Sequence, residues 1–225
     1  MTADHPQTIP LESGQRVSAI LQTPDDTPRA CYVFAHGAGA GMNHPFMAAT
    51  ATGLAERGIA TLRYQFPYME RGAKRPDPPA IAQATVRAAV AEAARRLPGV
   101  PLIAGGKSFG GRMTSQAQAE APLPGVSGLV FFGFPLHPPG KPGDGRGQHL
   151  LDVEIPLLFL QGSRDEFAQT QLLQPLVQRL GGRATLHLIE GANHSFRVSG
   201  RGAVGDVEVR SELLGTMLRW LERIL

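Results

Sequence analysis

The residue best placed to do chemistry is a serine between glycines, in the segment Gly106-Lys107-Ser108-Phe109-Gly110. The apolar residues 100–105 predict a strand before it, and residues 111–119 predict a helix after it. On so tight a strand-to-helix turn, side chains two residues before and after the serine would clash, which explains both glycines. The turn exposes the hydroxyl and points backbone N–H groups at a bound carbonyl. We therefore predict Ser108 as a nucleophile and the Phe109 N–H as a donor to an oxyanion.

A nucleophilic serine needs a general base and an acid that orients the base, and both are sought further along the chain. Asp165 follows the apolar strand predicted at 156–161, at the carboxyl end where catalytic side chains of open α/β sheets collect. His194 lies in the loop after the strand predicted at 184–189. His187 falls inside that strand and is interpreted as a residue of the sheet face. We predict Asp165 as the acid and His194 as the base.

A second glycine-rich loop, His36-Gly37-Ala38-Gly39-Ala40-Gly41, follows the apolar strand predicted at 31–35. Small residues let the backbone approach a substrate oxygen closely. We predict the N–H of Ala38 as the second oxyanion donor, with Gly37 or Gly39 as alternatives. A phosphate-binding loop is the other interpretation of such a turn. It is disfavoured because the GxGxxG spacing is absent and no Gly-Lys-Ser or Gly-Lys-Thr follows this loop.

With these features the chain resembles the α/β-hydrolases, and more narrowly a dienelactone-hydrolase-like branch of small serine hydrolases. The resemblance covers about residues 17–225, and the motifs that carry it are residues 36–39, 66–72, 135–141 and 161–165. It implies Ser108 as the nucleophile, Asp165 as the acid and His194 as the base. Dienelactone hydrolase itself uses a cysteine nucleophile, whereas this chain has Ser108, so the reaction of that enzyme is not implied.

Strand and helix patterns alternate along the chain, as a parallel sheet requires. Further strands are predicted at 16–22, 60–64 and 126–132, and helices at 45–57, 79–97 and 207–224. The helix at 79–97 carries an apolar stripe of Val86, Val90, Ala93 and Leu97. We predict one domain, residues 1–225, with the α/β-hydrolase fold. Its central sheet is mostly parallel and flanked by helices on both faces, with no separate lid domain.

The composition narrows the class of protein. The chain of 225 residues is 42% hydrophobic and 18% charged, as in a globular enzyme, and its formal charge is +3. No basic cluster exceeds two adjacent residues, so we expect no nucleic-acid partner. Neither a signal peptide nor an apolar run of about 18 residues is present, so we expect a cytoplasmic protein with no membrane association. We expect a monomer or a homodimer. The single cysteine, Cys31, excludes an internal disulfide.

Two long connections, residues 65–79 and 133–154, leave the carboxyl ends of predicted strands and should border the site. The residues predicted to bind substrate are aromatic, cationic or beside the oxyanion loop: Met42, His44, Phe66, Tyr68, Arg71 and His137. Arg71, Lys74 and Arg75 could receive a substrate carboxylate, which predicts a preference for acidic esters. The alternative is that both connections are solvated loops with a few packed aromatic residues.

The expected function is hydrolysis of an ester, lactone or thioester bond of a small substrate through an acyl-enzyme on Ser108. No cofactor is expected, and no metal, because no Cys/His cluster has metal-ligand spacing. Two alternatives are a small peptidase or amidase and a non-catalytic interaction module with the same fold. A binding module has no need of all three of Ser108, Asp165 and His194, which argues against it.

Overall fold

An eight-stranded sheet forms the centre of the molecule in the computed structural model, which describes residues 3–200 and 202–225. The strands are β1 (Ala3–Pro10), β2 (Arg16–Thr23), β3 (Ala30–Ala35), β4 (Ile59–Tyr64), β5 (Leu102–Lys107), β6 (Val126–Phe132), β7 (Leu157–Gly162) and β8 (Ala184–Ile189). Their spatial order is β1-β2-β4-β3-β5-β6-β7-β8. The pairs β1–β2 and β2–β4 are antiparallel, and all the others are parallel. The predicted mostly parallel sheet is confirmed.

Helices cover both faces of this sheet. They are α1 (Pro45–Ala55), α2 (Pro67–Glu70), α3 (Pro79–Arg96), α4 (Phe109–Glu120), α5 (Thr170–Leu180) and α6 (Gly202–Ile224), with short 3₁₀ helices at Gly145–Asp152 and Gly181–Arg183. Buried residues of α1 and α6 form one apolar core with the sheet, and those of α3, α4 and α5 form a second core on the other face. This arrangement confirms the predicted α/β-hydrolase architecture.

The strand β3 illustrates how the sequence produces these two cores. Successive side chains of a strand point to opposite faces, and every residue of β3 is buried. Val33 packs in the core of α3 and α4, whereas Tyr32 and Phe34 pack in the core of α1 and α6. A strand covered on both faces therefore shows an uninterrupted apolar run instead of alternation.

The sequence predictions miss β1, α2 and α5 and place the start of α6 too late. The edge strand β1 is not predicted because its sequence is polar and contains two prolines, Pro6 and Pro10, yet it pairs with β2 along its whole length. The helix α5 is not predicted because Pro175 interrupts it, although Leu173 and Leu176 bury its apolar face. The last helix begins at Gly202 and not at residue 207.

The connection between β6 and β7 contains the 3₁₀ helix Gly145–Asp152, which packs against α4 and α5. This connection forms no helical lid over the carboxyl edge of the sheet, as predicted. Across residues 3–200 and 202–225, no helix combines the length and the apolar character needed to cross a membrane.

Candidate active site

Ser108 occupies a strained turn between β5 and α4. Its backbone has φ 50° and ψ −115°, a conformation that residues other than glycine rarely adopt. The two flanking glycines are required by close backbone contacts. A Cβ atom at Gly106 would lie 2.4 Å from the carbonyl oxygen of Ala35, and one at Gly110 would lie 2.6 Å from the same oxygen. The turn holds the Ser108 hydroxyl at the carboxyl edge of the sheet.

Asp165 follows the end of β7 and is almost completely buried, with 3% of its surface exposed. Its Oδ2 accepts hydrogen bonds from Nε2 of Gln161 at 2.5 Å and from Nδ1 of His194 at 2.7 Å. Its Oδ1 accepts from the N–H of Phe167 at 2.8 Å. Gln161 is fixed in turn, because its Oε1 accepts from the N–H of Phe134 at 2.8 Å. The carboxylate is therefore held in one orientation by three donors.

His194 joins Asp165 to Ser108. Its Nδ1 lies 2.7 Å from Asp165 Oδ2, and its Nε2 lies 2.8 Å from Ser108 Oγ. An ionised carboxylate only accepts hydrogen bonds, so Nδ1 carries the proton and Nε2 is free to accept from the serine hydroxyl. The ring of Phe167 packs on the imidazole with centroids 4.3 Å apart. The structure thus brings together the three residues that the sequence singles out.

The two candidate oxyanion donors lie at the start of α4 and in the turn after β3. Phe109 is the first residue of α4, where an N–H group has no acceptor within its own helix. Ala38 lies in the exposed turn after β3. The N–H of Gly39 donates to the hydroxyl of Tyr68 at 3.1 Å, so Gly39 is the weaker alternative as an oxyanion donor. Ala38 stays the predicted second donor.

The oxyanion loop is hydrogen-bonded to the start of the connection after β4. Nε2 of His36 accepts from the N–H of Phe66 at 3.1 Å, and its Nδ1–H donates to the carbonyl of Gly37 at 2.8 Å. Burial lowers the pKa of His36 to about 4, so the imidazole is neutral and can accept. Oε1 of Gln65 accepts from the N–H of Met42 at 2.8 Å. These contacts tie the oxyanion loop to Gln65 and Phe66.

The positions of Phe66 and Tyr68 do not support the prediction that these residues bind substrate. Both side chains are fully buried. The Phe66 ring packs edge-on against His36 at 4.9 Å and against Phe109 at 5.4 Å between centroids. The Tyr68 hydroxyl accepts a hydrogen bond from the N–H of Gly39. Because protein atoms cover both rings, they support the oxyanion loop and do not line an open pocket.

Arg71 is also engaged within the protein. Its Nη2 lies 2.5 Å from Oδ1 of Asp77, whose Oδ2 accepts from the N–H of Tyr68 at 2.7 Å. Asp77 therefore balances the charge of Arg71, and the structure gives no support to a substrate carboxylate at this guanidinium. Lys74 and Arg75 are exposed.

His137 is 2% exposed and supports the segment that carries the acid. Its backbone N–H donates to the carbonyl of Phe167 at 3.0 Å, and its Nε2 accepts from the N–H of Gln169 at 3.3 Å. Because the His137 side chain is buried and bonded within the protein, the structure does not support the prediction that it contacts substrate.

Met42 and His44, which are predicted to line the entrance, differ in their exposure. Met42 is only 8% exposed. His44 is exposed and caps α1, because its Nδ1 accepts from the N–H of Phe46 at 3.2 Å. His44 also borders a cavity of about 590 Å³ that is lined by residues of α1, of α6 and of the loop around Ser195. Its lining includes neither Ser108 nor His194, so this cavity is not assigned to the substrate.

Sequence reasoning missed Gln65, Gln161 and Lys107, which hold the site through contacts between distant segments. Only Gln161 left a signal, as a buried polar residue ending an apolar strand. Within the part of the chain that the structure describes, no group of three or more His, Cys, Asp or Glu side chains is placed to hold a metal ion.

Comparison with known proteins gives a consistent result. A sequence profile described as an alpha/beta hydrolase domain matches residues 28–221. A serine hydrolase without lid from Xanthomonas campestris is 20% identical, with a TM-score of 0.76 over 96% of this chain and 94% of that one. A dienelactone hydrolase from Anabaena variabilis is 20% identical, with a TM-score of 0.72 over 92% and 95%. A cold-adapted esterase from an Arctic intertidal metagenomic library is 17% identical, with a TM-score of 0.70 over 100% and 94%. At these identities the structural likeness establishes a shared fold.

Proposed function

Because the chain belongs to the alpha/beta hydrolase family, we propose that it is a serine hydrolase that cleaves an ester, lactone or thioester bond of a small substrate. The observation that carries the proposal is the continuous hydrogen-bond chain from Asp165 through His194 to Ser108, on a strained serine turn. Strain in a buried framework is retained where a side chain must be held in one productive geometry.

In the first half of the reaction, His194 Nε2 removes the proton from Ser108 as Oγ forms a bond to the substrate carbonyl carbon. The N–H groups of Phe109 and Ala38 donate to the developing oxyanion, each worth about 3 kcal/mol when well aimed. The carbon–oxygen or carbon–sulfur bond to the leaving group then breaks, and His194 transfers its proton to that group. Asp165 stabilises the imidazolium and keeps its proton on Nδ1.

In the second half, water resolves the acyl-enzyme. His194 takes a proton from the water as its oxygen attacks the acyl carbon, and the same oxyanion donors act again. The bond between the acyl carbon and Ser108 Oγ breaks, and the serine recovers its proton from His194. The site needs no cofactor for any of these steps.

The connection between β6 and β7 favours esters over peptides and other amides as substrates. Peptidases on this fold usually carry an additional domain, whereas the connection between β6 and β7 holds only a short 3₁₀ helix. A small peptidase or amidase is the runner-up within the enzyme class. A non-catalytic interaction module would have no use for the strained conformation of Ser108 or for the buried carboxylate of Asp165.

The test is covalent labelling with a fluorophosphonate probe, combined with turnover of p-nitrophenyl acetate. The wild type should be labelled on Ser108 and should release p-nitrophenol, and Ser108→Ala should do neither. Ser115 offers a matched control, because its Oγ lies 2.8 Å from Nε2 of His149 but the residue is fully buried. Ser115→Ala should keep both signals. Labelling of Ser108→Ala at the wild-type rate would mean that another residue is the nucleophile.

A further inference from the structure

Lys107, directly before the candidate nucleophile, crosses to the loop that carries the candidate base. Its Nζ donates to the main-chain carbonyl of His194 at 2.5 Å. Gly133 leaves room for it, since a Cβ atom at that glycine would lie 2.8 Å from Nζ. One residue thus links the turn of Ser108 to the loop of His194 by a direct hydrogen bond.

The same ammonium also contacts the residue two positions beyond the base. Nζ lies 5.1 Å from the ring centroid of Phe196 and 6.0 Å from that of Phe46, within the range of cation–π attraction. Phe196 has φ 61°, an unusual conformation for a bulky side chain. Lys107 therefore holds the loop at two points, the carbonyl of His194 and the strained Phe196.

A charged group in this position is unfavourable by itself. Burial lowers the pKa of Lys107 to about 8, although the nearby carboxylates of Asp165 and Glu166 raise it. An apolar side chain of similar length would fill the space without removing an ammonium from water. The lysine contributes what such a side chain lacks, a donor and a cation directed at the base loop.

The loop of His194 needs such an anchor because much of it is exposed. Asn193, Ser195 and Arg197 all lie on the surface, and Oδ1 of Asn193 accepts from the N–H groups of Ser195 and Arg197 within the loop. The start of the loop is held to the turn after β7, because the N–H of Arg164 donates to the carbonyl of Ala192. The bond to Nζ connects it to the sheet beside the nucleophile. A shift of the loop would move the imidazole away from Ser108 Oγ.

We propose that Lys107 is a positioning residue that fixes the main chain of His194 and so holds the imidazole between Asp165 and Ser108. This inference rests on the proposed function. Lys107 does not touch the reacting atoms in this role. It acts through the loop, so its loss should lower kcat and leave substrate binding nearly unchanged.

The experiment compares kcat, KM and melting temperature of the wild type with Lys107→Met, Lys107→Arg and Lys141→Met, using p-nitrophenyl acetate. Lys107→Met keeps the length of the side chain but removes the donor and the charge. Since a displacement near 1 Å can cost a hundredfold, we expect kcat to fall about tenfold to a hundredfold, with KM within about twofold. Lys107→Arg keeps a cationic donor and should recover part of kcat. Lys141→Met, at an exposed lysine of the 133–154 connection, should match the wild type.

A folded Lys107→Met with kcat within about threefold of the wild type overturns the inference, since a 1 Å shift should cost far more. Equal rises of KM and falls of kcat also overturn it, because they indicate a substrate contact. If Lys107→Met does not fold, Phe196→Leu takes its place, because it removes the ring that holds the ammonium. Fluorophosphonate labelling of the wild type separates the two hypotheses. Labelling of wild-type Ser108 together with an unchanged kcat in Lys107→Met refutes only the role of Lys107, whereas an unlabelled wild type refutes the proposed function.

Discussion

Replacing Asp165 with asparagine tests the candidate site most sharply, because the carboxylate has donors on both oxygens. Oδ2 accepts from Gln161 and His194, and Oδ1 accepts from the N–H of Phe167. An asparagine must place its NH₂ group at one of these two positions. Either choice brings a donor against a donor, since an amide nitrogen cannot accept a hydrogen bond.

The two orientations have different consequences for the base. With NH₂ toward Phe167, the base keeps its tautomer and one buried N–H loses its acceptor. With NH₂ toward His194, Nδ1 must become the acceptor, so the proton moves to Nε2 and the imidazole can no longer take the proton of Ser108. Gln161 cannot relieve the conflict by turning over, because its Oε1 accepts from the N–H of Phe134. We expect asparagine to reduce turnover by about 10³ to 10⁴ and to lower the free energy of unfolding by about 1–3 kcal/mol.

The assay is steady-state hydrolysis of p-nitrophenyl acetate, with urea unfolding for stability. Asp152→Asn is the matched control, because Asp152 is an exposed aspartate in the connection between β6 and β7. It should retain wild-type turnover and stability. Asp165→Asn with turnover within about tenfold of the wild type would refute the assignment of the acid, as would a loss confined to Asp152→Asn.

Two further predictions concern the support of the oxyanion loop. Tyr68→Phe leaves the N–H of Gly39 without its acceptor, so kcat for p-nitrophenyl acetate should fall about threefold to tenfold, the equivalent of one ordinary hydrogen bond. Tyr32→Phe, which removes a hydroxyl that donates to the carbonyl of Val130 at 2.9 Å, should affect melting temperature and spare kcat, and an equal kcat loss in both variants would contradict the role of Tyr68. Burial lowers the pKa of His36 to about 4, so below pH 6.5 the unfolded chain binds a proton that the folded chain does not bind. The free energy of unfolding therefore decreases as the pH is lowered. Urea unfolding should show about 2 kcal/mol of this loss at pH 5 relative to pH 8, and His36→Gln should lose that part of the pH dependence.

The candidate triad could be predicted from the sequence because each residue follows a strong strand pattern. Ser108 and Asp165 come directly after apolar runs that form β5 and β7, and His194 follows β8. In a parallel sheet the carboxyl ends of strands share one edge, so residues far apart in the chain are brought together by topology alone. The three residues can therefore be placed at one edge of the sheet from the strand pattern, without knowledge of side-chain contacts.

The supporting residues could not be predicted in the same way. Phe66, Tyr68 and His137 occur next to glycine-rich or proline-rich turns, where an aromatic side chain is equally consistent with a pocket wall and with a packed support. The structure decides between them, because Tyr68 and His137 accept from the N–H groups of Gly39 and Gln169 and the Phe66 ring packs against His36. Such partners depend on how two loops meet in space, and no local pattern encodes them.

The same limit applies to Lys107. By sequence it is a variable position within a Gly-x-Ser-x-Gly pattern, and a lysine there is most simply interpreted as exposed. Its contact with His194 depends on the path of the loop after β8 and on the missing side chain at Gly133.

The contacts of residues 65–68 with the oxyanion loop bear on how substrate selectivity could be re-engineered. His36, Gly39 and Met42 each exchange a backbone or side-chain hydrogen bond with this short segment. Randomising residues 65–68 in a mutant library would disturb the position of the oxyanion loop and so reduce activity toward every ester at once. The side chain of His44 is exposed, and its Nδ1 accepts from the N–H of Phe46 in the helix that His44 caps. Directed evolution toward new acyl groups should therefore gain more from diversity at His44 than from diversity after β4.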